Sequence, residues 1–438
     1  MKIISKTNFA LILVSLALSS ANVFANEKTD KSWLNGLSEQ GLNKNDQAYC
    51  YTNSENNIEG ANLDLSIRLA SVSKLVTSLW SIESLGINFK YDTKLFIKNN
   101  QLHIQGSYDP FLGNEKMFYL LSQLNELGYT KFDKITFDKN LLVNPDAAYE
   151  SDEYPNVSAN FTTRLLKMYF NPKTWSKDFK DEFANYKLIA KEGRYREQIN
   201  FEVNDIQFVD SNPFLSDSDV KVLTLSSPPL YKYLKEMNVK SNNYVAETLF
   251  RQNGNVKKFD AYLLSKFNLN QDTIKLITGS GLPYYDDQNV RHDNYATCRV
   301  MLKILKTLKS EIEKQNMTIE DVVAVPGSDK GTFRNRIFPS DFKNSFVAKT
   351  GTLMHTSALA GAMNTQSGFN FFGIFNQSTD IQGSKKVQNE MVKTIMESLG
   401  GPKSFEYVVD PFHAYSNDVL KAKVDEENTF DPIEGNLE

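Results

Sequence analysis

The chain is poor in the residues that build metal sites and disulfide frameworks: 438 residues hold two cysteines and four histidines. Cys50 and Cys298 are too few for a disulfide framework or a four-cysteine zinc site, and their spacing leaves open whether they bond to each other. His103, His292, His355 and His413 are scattered, with no His-Glu-x-x-His pair, so neither a metal nor a metal cofactor is expected. A Gly-x-Ser-x-Gly elbow is also missing, which removes support for a serine–histidine–aspartate triad. Basic charge is not in excess: 49 Lys and Arg face 53 Asp and Glu, for a net charge of −4, and no nucleic-acid footprint is visible. The apolar run Phe9–Leu18 falls well short of the ~20 residues that a membrane span needs.

That run sits between Lys2 and Lys6 on one side and Val23-Phe24-Ala25 on the other, the pattern of a secretory signal peptide, with cleavage expected after Ala25. Loss of the two lysines takes the formal charge from −4 to −6. A content of 41% hydrophobic and 23% charged residues is that of an ordinary globular protein, and the length predicts two or three domains. Peripheral association with a membrane and the oligomeric state are left open.

Along the chain, Trp33, Leu34 and Leu37 mark a short amphipathic helix, followed by extended pieces at Gln47–Thr52 and Leu63–Leu69. The texture changes after Gly86, and residues 92–226 read as an inserted accessory domain. It holds a hairpin of Asp92–Ile97 and Gln101–Gly106, a helix Glu115–Leu127 and a strand Lys134–Asp138. Asp146–Tyr154 is acidic and irregular, Lys173–Tyr195 mixes charge with aromatics, and the charged residues of the inserted segment read as a solvated face and not as a site. Beyond Ser227-Pro228-Pro229-Leu230 the periodicity strengthens again, with a helix predicted over Ala296–Leu308. Three strands, Ser345–Leu353, Ser357–Asn364 and Gly368–Gln377, then precede a helix Ser384–Leu399. This order predicts an α+β fold, an antiparallel sheet covered by helices. Residues 26–91 and 227–414 would form its discontinuous main domain, and residues 415–438 a mobile acidic tail.

Three short signals carry chemistry. Ser71 opens a helix whose apolar residues Val72, Leu75, Val76, Leu79 and Trp80 recur at helical spacing, and Lys74 lies one turn on, so hydroxyl and amine share a face. Ser218 with Lys221 and Ser340 with Lys343 repeat the spacing, but in polar settings with no apolar helix after them. Ser241-Asn242-Asn243 is a polar trio before Tyr244-Val245-Ala246, and its plainest reading is a helix cap. Lys349-Thr350-Gly351 lies on a strand, where a lysine and the hydroxyls of Thr350 and Thr352 can hold a carboxylate, and Gly351 can let a substrate backbone lie close.

In this order, S-x-x-K, S-x-N and K-T-G are the elements named for penicillin-binding proteins and class A β-lactamases. The chain further resembles the low-molecular-mass class C penicillin-binding proteins, the D-alanyl-D-alanine carboxypeptidase/endopeptidases of the penicillin-binding protein 4 type. The resemblance rests also on Gly106-Ser107-Tyr108-Asp109-Pro110, on Gly279-Ser280-Gly281-Leu282, and on Pro326-Gly327 leading to Gly331-Thr332. Thr278 stands where the family often has aspartate, and the insertion is shorter than in the larger members.

The resemblance implies a penicillin-binding-protein/serine β-lactamase-like transpeptidase fold and a periplasmic enzyme that needs no cofactor. Such an enzyme would act on peptidoglycan stem peptides and be acylated by β-lactams. Ser71 would attack the penultimate D-alanine carbonyl, with Lys74 as base if desolvation or the neighbouring cation Lys349 frees its amine. Ser241 would relay the proton to the leaving amine, and Asn243 would hold the substrate amide. The N–H groups of Ser71 and Thr352 would form the oxyanion hole, and Lys349, Thr350 and Thr352 would hold the terminal carboxylate. Tyr284, Asp286 and Arg291 are further candidates for substrate contact, against a plain reading as an exposed turn. A serine β-lactamase and a non-catalytic peptidoglycan-binding protein of the same fold are the alternatives.

Overall fold

The computed structural model describes residues 27–147, 157–190, 195–416 and 420–422. The expected signal peptide, most of the Asp146–Tyr154 stretch and most of the acidic tail lie outside these residues. The chain divides into two compact units, Met1–Trp80 with Asn238–Ser241 and Asn255–Val409, and Ser81–Met237 with Asn242–Gly254 and Asp410–Glu438. No helix among the described residues is long and apolar enough to cross a membrane.

The first unit is built on a five-stranded antiparallel sheet in the order Phe346–Leu353, Thr356–Thr365, Gly368–Asn376, Gln47–Thr52, Ile58–Ala61. The three predicted C-terminal strands are present within one or two residues of their expected ends. Gln47–Thr52 pairs with the last of them, which places the lysine-bearing strand at the edge. Tyr49, Tyr51, Leu359, Phe372 and Ile374 pack on one face against Trp33 and Leu37 of the helix over residues 27–39 and Val387, Met391 and Ile395 of the helix Ile381–Ser398. The helix Cys298–Glu313 packs against the sheet as well, from three of its strands. Cover on both faces explains why these strands read as near-continuous apolar runs with no polar alternation.

Cys50 and Cys298 are bonded to each other, closing a separation of 248 residues between the sheet and this helix. Of the extended stretch Leu63–Leu69, only Ile67–Arg68 pairs, with Tyr295–Ala296.

The second unit holds a six-stranded mixed sheet in the order Lys421–Ala422, Lys221–Ser226, Asp92–Lys98, Gln101–Gln105, Lys134–Phe137, Ile206–Phe208. The hairpin turns through Asn99 and Asn100 at φ 47° and 58°, left-handed positions that asparagine tolerates and that tight two-residue hairpin turns require. Its last two junctions are parallel, which the sequence reading did not foresee. Within the tail expected to be mobile, Lys421–Ala422 pairs with Leu223 and Thr224.

Two helices there also escaped the reading, Ala159–Tyr169 and Lys177–Ile189, each capped by a serine: Ser158 accepts from Phe161 N–H, and Ser176 from Phe179 N–H. The second carries the Lys173–Tyr195 mixture of charge and aromatics. Phe179, Phe183 and Tyr186 recur at i, i+4 and i+7 and gather around Phe118, so the aromatics face inward while the charges between them face solvent. Asp109 of the Gly-Ser-Tyr-Asp-Pro turn is buried, accepting from Tyr233 Oη (2.8 Å) and paired with the equally buried Lys116.

Because the disulfide joins segments far apart in the chain, it restricts the unfolded state strongly. Reduction, or Cys50→Ser with Cys298→Ser, should lower stability by about 2–5 kcal/mol. Thermal unfolding with and without reductant checks this, and an unchanged Tm in the double variant would contradict it.

Candidate active site

The chain enters the helix Ser73–Leu85 through a short 3-10 turn, Ala70–Val72. Ala70, buried, sits at φ 46°, a left-handed conformation that costs a residue with a β-carbon about 1–2 kcal/mol. The neighbours hold it there. Leu69 N–H donates to Asn294 O at 3.0 Å. Gly281, at φ 85°, lies so close that a β-carbon would fall 1.9 Å from Ala70 O. On the other side, a β-carbon on Gly351 would stand 2.7 Å from Leu69 O and 3.1 Å from Ser71 N. The bare α-carbon of Gly351 therefore faces the chain's own serine turn, a use of this glycine that differs from the backbone approach expected of it.

In the first turn of the helix, Lys74 is fully buried. Its Nζ donates to Ser71 Oγ at 3.0 Å and to the carbonyl of Ser280 at 2.7 Å. The loop that offers this carbonyl is fixed to the same helix: Thr77 Oγ1 donates to Gly279 O at 2.8 Å. Asn294 ties the loop again, its Oδ1 accepting from Ile277 and Thr278 N–H and its Nδ2 donating to Ser73 Oγ and Thr278 O.

The second lysine repeats the arrangement. Lys349, also fully buried, donates from Nζ to Ser241 Oγ at 2.9 Å and to Thr350 O at 2.9 Å. Ser241 stands at φ 58°, and the cap of the following helix is Asn242, whose side chain accepts from Val245 N–H at 3.0 Å. The capping expected of the trio thus falls to its middle residue, and the Ser241 hydroxyl faces a lysine. Asn243, buried, is the first residue of the helix Asn243–Asn253. Thr352 is exposed on the edge strand, and Thr350 Oγ1 donates to Thr332 Oγ1 at 2.9 Å.

The first unit thus brings Ser71, Lys74, Ser241, Lys349, Thr350 and Thr352 onto elements that touch through Gly351 and Gly281. Sequence reasoning passed over Asn294 and the Ser280 carbonyl. Thr332 was noticed only as part of a family-like run, and glycine at 331 was its one local signal.

Tyr284, Asp286 and Arg291 lie on a small hairpin, Tyr284–Tyr285 with Arg291–His292. Tyr284 is half exposed, Asp286 is hydrogen-bonded to His292 Nε2 at 2.8 Å, and Arg291 pairs with Asp293 at 2.9 Å. The hydrogen bond from His292 holds the Asp286 carboxyl below its usual range. Among the described residues, no group of three or more His, Cys, Asp or Glu comes together as a metal site.

Residues 202–398 match the family described as D-Ala-D-Ala carboxypeptidase 3 (S13). No curated protein matches the sequence. The fold is similar to that of Bd3459, a predatory endopeptidase from Bdellovibrio bacteriovorus solved in complex with immunity protein Bd3460. The TM-score is 0.78 at 26% identity, over 86% of this chain and 99% of that one. The penicillin G acylated form of Bd3459 matches with a TM-score of 0.75 at 26% identity, over 86% and 99% of the two chains. Penicillin-binding protein 4 from Haemophilus influenzae shares the fold, with a TM-score of 0.52 at 18% identity over 79% and 96% of the two chains. The matched segment and the structural likeness, on top of a serine–lysine pair set against a lysine-bearing edge strand, indicate a serine-type D-Ala-D-Ala peptidase similar to the S13 enzymes.

Proposed function

We propose that the protein is a periplasmic DD-carboxypeptidase and DD-endopeptidase, which cleaves D-Ala-D-Ala ends and D-Ala–diaminopimelate cross-links of peptidoglycan through an acyl-Ser71 intermediate. The observation that carries this reading is the Lys74 Nζ to Ser71 Oγ distance of 3.0 Å at the start of a buried helix. Such an approach lets a free amine take the hydroxyl proton as the oxygen attacks. The Ser71 oxygen bonds to the carbonyl carbon of the penultimate D-alanine, and the bond to the leaving amine breaks. Ser241, held by Lys349, passes a proton to that amine, and water then hydrolyses the ester.

Asn243 holds the substrate amide, while Lys349, Thr350 and Thr352 receive the terminal carboxylate. The oxyanion lies between the N–H groups of Ser71 and Thr352, and the close approach of Gly351 to Ser71 N supports this assignment. A β-lactam would acylate Ser71 by the same attack, as the penicillin G acylated form of Bd3459 suggests. Residues 1–25 act as the export signal and residues 92–226 as an accessory domain within the peptidase.

Mass analysis of muropeptides after digestion tests the reading. The wild type should remove one D-alanine from pentapeptides or convert dimers to monomers, and Ser71→Ala should do neither. Wild-type protein that takes penicillin yet leaves muropeptides unchanged would contradict the peptidase assignment, and rapid multiple turnover of nitrocefin would favour a β-lactamase.

A further expectation concerns the turn itself. Gly281→Ala would push the Ala70 carbonyl, 1.9 Å from the new carbon, and move Ser71 N with it. Penicillin acylation should slow by about 100- to 1,000-fold, the cost of losing one oxyanion donor, with the circular dichroism spectrum retained. An unchanged rate would show that the turn does not set the geometry.

A further inference from the structure

Thr332 lies in the segment between Val322 and the edge strand, outside the three motifs, yet this segment is fastened to the carriers of both Ser241 and Lys349. Asn238 Nδ2 donates to Val322 O at 3.1 Å, and Ala348 N–H to Ala324 O at 2.9 Å. Asp329 braces the turn, accepting from Val325 N–H at 2.7 Å and from Tyr407 Oη at 2.6 Å. Gly331 then passes Val239 so closely that a β-carbon would sit 2.1 Å from Val239 O, the atom that also accepts Thr332 N–H at 3.1 Å. Thr332 is thereby fixed between the segment that ends at Ser241 and the strand that carries Thr350.

Its hydroxyl meets that of Thr350, which donates to Thr332 Oγ1 at 2.9 Å. A pair of touching hydroxyls consumes one of its two protons internally, so only the other can be offered outward. Here the Thr350 proton is the one consumed. Thr332 is half-buried, and its own O–H makes no hydrogen bond to another described residue, so it is the outward donor of the pair. Donation by Thr350 polarises that O–H and strengthens the bond it makes to an anion.

We propose that Thr332 is a further substrate-binding residue, whose hydroxyl donates to the terminal carboxylate of the peptide or β-lactam, while Thr350, its own proton engaged in the bond that orients Thr332, acts on the carboxylate through Thr332 and not by direct donation. The proposal rests on the peptidase reading above and assigns the specificity for a free carboxylate to a residue outside the lysine–threonine–glycine strand.

The test compares substrates that differ only in that charge: an acyl-D-Ala-D-Ala peptide against its C-terminal amide, and penicillin G against its methyl ester. Thr332→Val should lower kcat/KM and the acylation rate for the free acids by about 10- to 100-fold, the loss expected for a hydrogen bond to a charged group, and leave the amide and ester little changed. Thr332→Ser should restore the preference. A thermal melt like that of the wild type excludes a folding defect. Equal losses on charged and neutral partners would make Thr332 merely structural and overturn the proposal, as would no loss on either. If the wild type neither releases D-alanine nor takes penicillin, the peptidase reading falls and this proposal with it. If the wild type does both and Thr332→Val keeps its preference for the free acids, this proposal alone falls.

Discussion

The left-handed backbone of Ala70 is the constraint from which the site follows. A residue with a β-carbon does not hold φ 46° unaided, and here Asn294 O takes Leu69 N–H while the bare faces of Gly281 and Gly351 close on the turn from two sides. The turn directs Ser71 Oγ down the helix toward Lys74 and leaves Ser71 N beside the edge strand. Asn294 links the whole arrangement, since its backbone holds Leu69 and its side chain holds both the helix and the loop that carries Gly281. Ser71, Lys74 and the strand edge are thus positioned by one strained residue and two absent β-carbons.

Burying an amine requires polar partners, and the protein meets that need twice with the same kinds of acceptor. Lys74 takes one serine hydroxyl and one backbone carbonyl, Ser71 and Ser280, and Lys349 takes Ser241 and Thr350 in the same way. The hydroxyls that satisfy the lysines are those the proposed chemistry uses. Ser241 can serve because Asn242 has taken over the capping of the next helix, a local competition between two good capping residues that the backbone decides through φ 58° at Ser241.

Much of this was legible in the chain. Helical spacing alone put Lys74 over Ser71, and the apolar runs after Ser345 gave three strands and a closing helix nearly at their observed limits. What escaped the reading depended on partners distant in sequence. The bond between Cys50 and Cys298 needed knowledge that the first strand lies within the C-terminal sheet. The parallel junctions in the second unit are likewise set by tertiary packing. Lys177–Ile189 was readable in principle, for Phe179, Phe183 and Tyr186 carry helical spacing, but the intervening charges masked it. Gly351 was read as a point of close approach, and the structure adds the serine turn as its neighbour.

In the proposed reaction Ser71 Oγ is the atom that becomes covalently bound. Peptide mapping of the protein after reaction with penicillin tests this most directly. The account predicts the adduct on the peptide containing Ser71 and none on that containing Ser241, although Ser241 also touches a buried lysine. An adduct on Ser241, or one that persists in Ser71→Ala, would contradict it.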